Sequence, residues 1–275
     1  MVAITSLADI AGQLTEKSAN ADKISIGCVC LPSGTVKSVR SAMPVSMPKW
    51  RDADDHDVDW MVGLILKESL SIWATSFDKT TEGWRMFWED SRDVHARTAA
   101  LGDGSISFLK AATLIKFLLF SQATVFALRH SIAIRTMPMI RDRLGRLNVS
   151  ASVILDNEIQ GEDNHDAFAE IWQAMNEHQP KLNSLGVVHK VTTVTLATES
   201  QEPLLLLPDY VAGILQAANS TADTLVKSRV SALAANRAYE RLKAASKFCE
   251  FPGFMPKSYF EIFPNFKLYA RHRAP

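Results

Sequence analysis

Four carboxylates in this sequence, Asp9, Asp156, Glu199 and Asp209, fall at the ends of apolar-rich segments or just beyond them. Asp209 is the sharpest case, because Leu204 to Leu207 and then Pro208 deliver an acid behind the most apolar stretch of the chain. A buried carboxylate is costly unless it is paired, hydrogen-bonded or bound to metal. In α/β sheets, ligands gather beyond the carboxyl ends of the strands, so acids that end strands and one that opens the next helix can converge there. A carboxylate cluster of that kind suits Mg²⁺ or Mn²⁺, and such ions polarise a phosphodiester and activate water. Each acid also has a local use. An acid in a first turn favours the helix dipole, and an aspartate at a strand end serves turn chemistry.

The elements that must position these acids follow from periodicity. Val2 to Asp9 and Lys23 to Leu31 read as strands, and Pro32-Ser33-Gly34 reads as a turn into a third, Thr35 to Arg40. An amphipathic helix is expected from about Asp55 to Phe77, with Trp60, Met61, Leu64, Ile65, Ile72 and Trp73 on one broad face. Helical patterns continue through Thr81 to Ala100 and Ser105 to Ser131, parted by Gly102 and Gly104. Ser150 to Asp156 then reads as a strand, Asp163 or Asn164 caps a helix to about His178, and Val187 to Ala197 is the next strand. Pro208 opens a helix to about Ala218, placing Asp209 in its first turn. A last helix is expected from Thr221 to Phe248, ahead of an aromatic tail. The first three strands imply antiparallel neighbours and the later alternation implies parallel ones. The expected fold is therefore α/β, a mixed sheet of about five strands flanked by helices, with a helical insertion at about residues 80–147.

This order of elements resembles the ribonuclease H-like fold. More narrowly, the chain resembles the domain-of-unknown-function 3800 family, whose members open with a strand ending in Asp-Glu-Ser-Gly. They close with a motif near Asp-Ser, then Gln-Leu-Ala-Asp and a small-residue helix. Here the first motif is Asp9-Ile10-Ala11-Gly12, the middle acid is Asp156 in Val153-Ile-Leu-Asp-Asn157, and the closing motif is Glu199-Ser200 with Leu206-Leu207-Pro208-Asp209-Tyr210-Val211-Ala212-Gly213. The resemblance spans about residues 1–218 and implies a nuclease-like site in which Asp9, Asp156 and Asp209 ligand Mg²⁺ or Mn²⁺, assisted by Glu199. Ile10, Ala11 and Leu206 stand where the family has Glu, Ser and Gln, which marks a divergent member. The functional expectation is a metal-dependent nuclease or nuclease relative. The alternative is a catalytically degenerate adaptor that binds protein or nucleic acid.

The remaining composition bounds partners and compartment. Net charge is zero, but residues 225–275 hold ten Lys or Arg against three Glu, while the rest holds twenty against twenty-seven acids. A basic end on an acidic body suits contact with a nucleic acid, and self-association as a homodimer is an equally physical use. Residues 219–275 therefore read as a helical, aromatic, basic extension. The aromatics from Phe248 to Tyr269 can stack bases or pack back onto the domain, and packing is the expectation.

Three cysteines, Cys28, Cys30 and Cys249, give no disulfide framework and suit packing in a reducing, cytoplasmic compartment. The N-terminus has no basic region and no long apolar core, so no secretory signal is expected. The apolar stretch Phe117 to Leu128 is short of the ~20 residues a membrane span needs. The acid-rich run Asp52 to Asp59, with His56, reads as a solvated helix start. Asp156 to Gly161 begins like a calcium loop but carries Ala167 where the bidentate Glu belongs, and His165 reads as a surface helix residue. No phosphate loop, zinc spacing or nucleophile elbow is present.

Overall fold

The structure is a computed structural model that describes residues 2–11, 23–86, 88–89, 119, 123–124, 127–128, 130–131, 147–157, 187–219 and 229–250. Its centre is a mixed six-stranded sheet. β1 (Val2–Ala11) pairs antiparallel with β2 (Lys23–Pro32), which pairs antiparallel with β3 (Ser71–Asp78). On the other side of β1 lie β4 (Leu147–Asp156) and β5 (Val187–Ala197), both parallel to it, and β6 (Phe248–Glu250) adds in parallel beyond β3. The spatial order is β5-β4-β1-β2-β3-β6. The expected mixed α/β sheet is present, with one strand more than expected.

Two expectations about the elements are corrected. Thr35 to Arg40 is not a strand: a 3-10 turn, Ser33–Thr35, leads into α1 (Val36–Ala42). The Thr35 hydroxyl donates to Pro32 O and the Ser38 hydroxyl to Thr35 O, local bonds that close a turn where a strand would need a ladder partner. The third strand is Ser71–Asp78, which the helical spacing had absorbed into α2 (Asp55–Glu68). The helix stops because Ser69 is extended, and its exposed last carbonyls are taken by Lys247, whose ammonium donates to Leu66 O and Ser69 O at 2.7 Å each. Hydrogen bonds to a charged group contribute about 2 kcal/mol, so Lys247→Met is expected to lower stability by about that amount in urea unfolding. An unchanged midpoint would show that the cap is not used.

The start of α2 explains the acidic run. Asp54 accepts from the His56 and Asp57 N–H groups while Asp57 accepts from the Asp54 N–H, a reciprocal cap. Asp55 accepts from the Ser231 N–H and hydroxyl, and Asp59 pairs with Arg237 and Arg241. Those partners open and line α4 (Ala232–Lys243), capped by Ser231. The last helix thus begins about ten residues later than expected and ends before β6.

Helices cover both faces of the sheet. One face carries Leu7, Val29, Leu31, Ile72 and Ala74 against α3 (Leu206–Asn219), with α2 and α4 packed behind it. The other buries Ile26, Cys28, Cys30, Trp73 and Phe77, near the helical residues Trp84, Trp88, Ala127 and Leu128. Cys28 and Cys30 are free and buried, and burial raises both thiol pKa values, as core thiols require. The expected helix from 163 to His178, His165 and the aromatic tail beyond Glu250 lie outside the described residues. Among the described residues no helix is long and apolar enough to cross a membrane.

Candidate functional site

Strand register places the acids. Side chains alternate along a strand, so Asp9 shares the α3 face with Leu7, and its partner across the antiparallel pair is Gly27. On the other side Leu7 pairs with Ile154 and Ala8 with Leu155, so the next step of the same parallel ladder brings Asp156 beside Asp9. Asp156 in turn pairs with Ala197, a core residue of that face, and Glu199 follows two residues on. The carboxyl ends of β1, β4 and β5 therefore present three acids on one face.

Asp209 reaches them from α3. A Cβ built on Gly27 would lie 2.4 Å from Pro208 O and 2.7 Å from the Ala212 N. Only a residue without Cβ lets the first turn of α3 sit this low on β2, beside the strand that carries Asp9. The other flank of the helix is equally close: a Cβ on Gly213 would meet the Trp50 ring at 2.2 Å. Trp50 packs edge-on against Tyr210, with ring centroids 5.8 Å apart, and its backbone N–H donates to Asp209 Oδ2 at 2.8 Å. The four leucines anchor this start: Leu204, Leu205, Leu206 and Leu207 are all core residues. Glu202 fixes the turn before them, accepting from the Leu204 N–H and from the Arg40 guanidinium through both oxygens.

The electrostatics show that the four acids share one field. Burial holds the Asp9 carboxyl well above the usual carboxylate range, and repulsion from Asp209, Asp156 and Glu199 adds to it against a 2.6 Å hydrogen bond from the Ile10 N–H. Asp209 is raised to about 6, first by burial and then by Glu199 and Asp156, while the Trp50 N–H and Lys49 pull it down. Lys49 is the cation of this group. It forms an ion pair with Glu199, whose side chain is 12 % exposed, and it feels Asp156 and Asp209 as well.

All four residues singled out in the sequence thus lie within one another's electrostatic reach. Lys49, Trp50, Gly27 and Gly213 were not singled out. Lys49 and Trp50 lie in an aperiodic loop, and Gly213 entered only as the last residue of the closing motif.

Among the described residues no three His, Cys, Asp or Glu side chains are arranged to hold a metal ion as they stand. The donor chemistry nevertheless suits a hard divalent cation: carboxylate oxygens dominate, and the buried Asn157 Oδ1, next to Asp156, has no hydrogen-bond partner.

The chain was compared with protein-family models and with curated proteins, and it matches none. Among solved structures, the ribonuclease H2 from Pyrococcus horikoshii OT3 aligns over 90 % of this chain and 81 % of its own, at 9 % identity and a TM-score of 0.41. That likeness is too distant to carry an argument.

Proposed function

We propose that this chain is a ribonuclease H-like, divalent-metal-dependent nuclease or a relative of one, and a divergent relative of the domain-of-unknown-function 3800 family. The observation that carries the reading is the gathering of Asp9, Asp156, Glu199 and Asp209 on one face of the sheet, with Asp9 and Asp209 raised by burial and by their neighbours. Acids pressed together this way are stabilised by added positive charge, and perturbed carboxyls at strand ends are what a cation-assisted hydrolase needs. The element order supports it as well: an antiparallel β1-β2-β3, then β4 and β5 added in parallel, then a helix with an acid in its first turn.

Asp9, Asp156 and Asp209 would hold Mg²⁺ or Mn²⁺, Glu199 would assist, and Asn157 Oδ1 is a further oxygen donor in the same segment. Such an ion polarises a phosphoryl oxygen and activates water. The chain's own part is to hold the acids close, so that a cation entering among them relieves their mutual repulsion and the cost of their burial.

The alternative, a non-catalytic adaptor, is favoured by Ile10 and Ala11 at the family's Glu and Ser positions. Its force is reduced by the pleat. Ile10 points to the face opposite Asp9 and is buried there, so an apolar residue at this position removes no carboxylate from the Asp9 face.

Nucleic acid is the proposed partner, through the basic C-terminal region. Arg237, Arg241 and Lys243 are spent on intrachain ion pairs and Lys247 on the α2 cap, so the contact would draw on Lys227, Arg229, Lys257, Lys267, Arg271 and Arg273.

The test is cleavage of single-stranded and hybrid oligonucleotides in Mn²⁺ by wild type and Asp156→Asn. Even outer-shell partners of a metal cost 10- to 100-fold, so loss of a ligand is expected to lower cleavage by at least about a hundredfold. Equal rates would remove Asp156 from the site.

A further inference from the structure

The loop that carries Lys49 is held on both sides of it. The Tyr210 hydroxyl donates to Pro48 O at 3.0 Å, and Asp209 accepts from the Trp50 N–H at 2.8 Å, so two adjacent residues of α3 clamp the residues before and after the lysine. Trp50, 8 % exposed, packs its ring against Gly213 of the same helix. A lysine on a free surface loop would wander among solvent-exposed conformations. This one is delivered to Glu199 from a fixed backbone, and its stem reaches the surface with 44 % of the side chain exposed.

Three of the acids near it have named partners. Asp9 takes the Ile10 N–H, Asp209 takes the Trp50 N–H, and Glu199 takes the Lys49 ammonium. Lys49 acts on Glu199, Asp156 and Asp209 alike.

We infer that Lys49 is the resident counter-cation of the carboxylate cluster: it holds Glu199 and the aspartates together in the absence of metal, and a divalent ion entering the cluster must displace it from Glu199. The second half rests on the metal-dependent reading proposed above, whereas the first does not. A tethered ammonium beside a divalent ion raises the local positive charge and weakens binding of that ion. Once displaced, the same ammonium, exposed on a clamped loop, is free to meet a substrate phosphate as a point charge.

The experiment is thermal unfolding of wild type, Lys49→Met and Lys49→Arg at pH 8 and low salt, first with chelator and then over a Mn²⁺ series. With chelator, Lys49→Met is expected to melt about 3 to 6 °C lower and Lys49→Arg to match wild type. The double variant Lys49→Met with Glu199→Gln is expected to recover most of the loss, because no unpaired carboxylate is left behind. A melting temperature unchanged in Lys49→Met, or a loss not relieved by Glu199→Gln, overturns the inference.

In the Mn²⁺ series, Lys49→Met is expected to reach half-maximal stabilisation at about tenfold lower Mn²⁺ than wild type. Equal Mn²⁺ dependence in both proteins overturns the competition between lysine and metal. Indifference of both to Mn²⁺ sinks the metal-dependent reading, and the chelator arm then decides the counter-cation role by itself.

Discussion

Gly27→Ala is expected to lower the melting temperature by about 6 to 12 °C and to remove any Mn²⁺-dependent stabilisation with it. The new Cβ would lie 2.4 Å from Pro208 O and 2.7 Å from the Ala212 N, and neither is the end of a flexible side chain. Both belong to the backbone of α3, so the whole first turn must lift from β2. Forcing a methyl into a packed site costs about 1 to 3 kcal/mol, and a clash with backbone on two sides belongs at the upper end. Lifting that turn also carries Asp209 away from Asp9, and it pulls on the Trp50 N–H that Asp209 accepts.

A matched control lies in α2, where a Cβ at Gly63 would meet nothing within 4 Å. Gly63→Ala should therefore raise stability by about 1 kcal/mol, the ordinary gain of alanine over glycine inside a helix. If Gly27→Ala melts like wild type, α3 does not sit as low on the sheet as described and the placement of Asp209 loses its support.

The same glycine shows what the sequence could and could not give. The acids were legible because each falls at or just beyond a recognisable strand end or helix start: Val153 to Leu155 run straight into Asp156, and Pro208 fixes the first turn that carries Asp209. Their convergence followed from the parallel β1-β4-β5 order, a consequence of alternating strands and helices. The third strand was not legible. Ile72 and Trp73 continue the helical spacing of Leu64 and Ile65, and only Ser69 and Leu70 separate the two elements. Thr35 to Arg40 holds three β-branched residues, Thr35, Val36 and Val39, but it buries only Val39 and closes on itself through side-chain hydroxyls. β6 is three residues long and carries no period at all. Lys49 was missed for a different reason. Its role comes from a loop fixed by Tyr210 and Asp209, about 160 positions away in the chain, and no local pattern encodes a contact of that separation.

Asp209→Asn is expected to melt higher than wild type at pH 7 to 8 in chelator, by about 4 to 8 °C, and to show no such advantage at pH 4. The sign follows from the raised carboxyl. In the unfolded chain an aspartate titrates near its ordinary 3.8, whereas in the folded protein Asp209 titrates at about 6. Below the lower value both states hold the proton and the group costs nothing. Between the two values the folded state keeps a proton that the unfolded state has released, so stability falls as pH rises; above the upper value the penalty is complete.

Two pH units correspond to about 3 kcal/mol, and partial solvent access reduces that to about 2. Asparagine carries no charge to desolvate or to repel Glu199 and Asp156, and its amide oxygen can still accept the Trp50 N–H. Melting curves from pH 4 to 8 decide it: a gap that is the same at both ends would mean that the mutation acts through packing rather than charge. Addition of Mn²⁺ should then reverse the ranking at pH 8, because wild type gains a ligand that the variant has lost. Protein that is destabilised by its own acids at neutral pH, and rescued by a cation, is what a site kept for chemistry rather than for folding should look like.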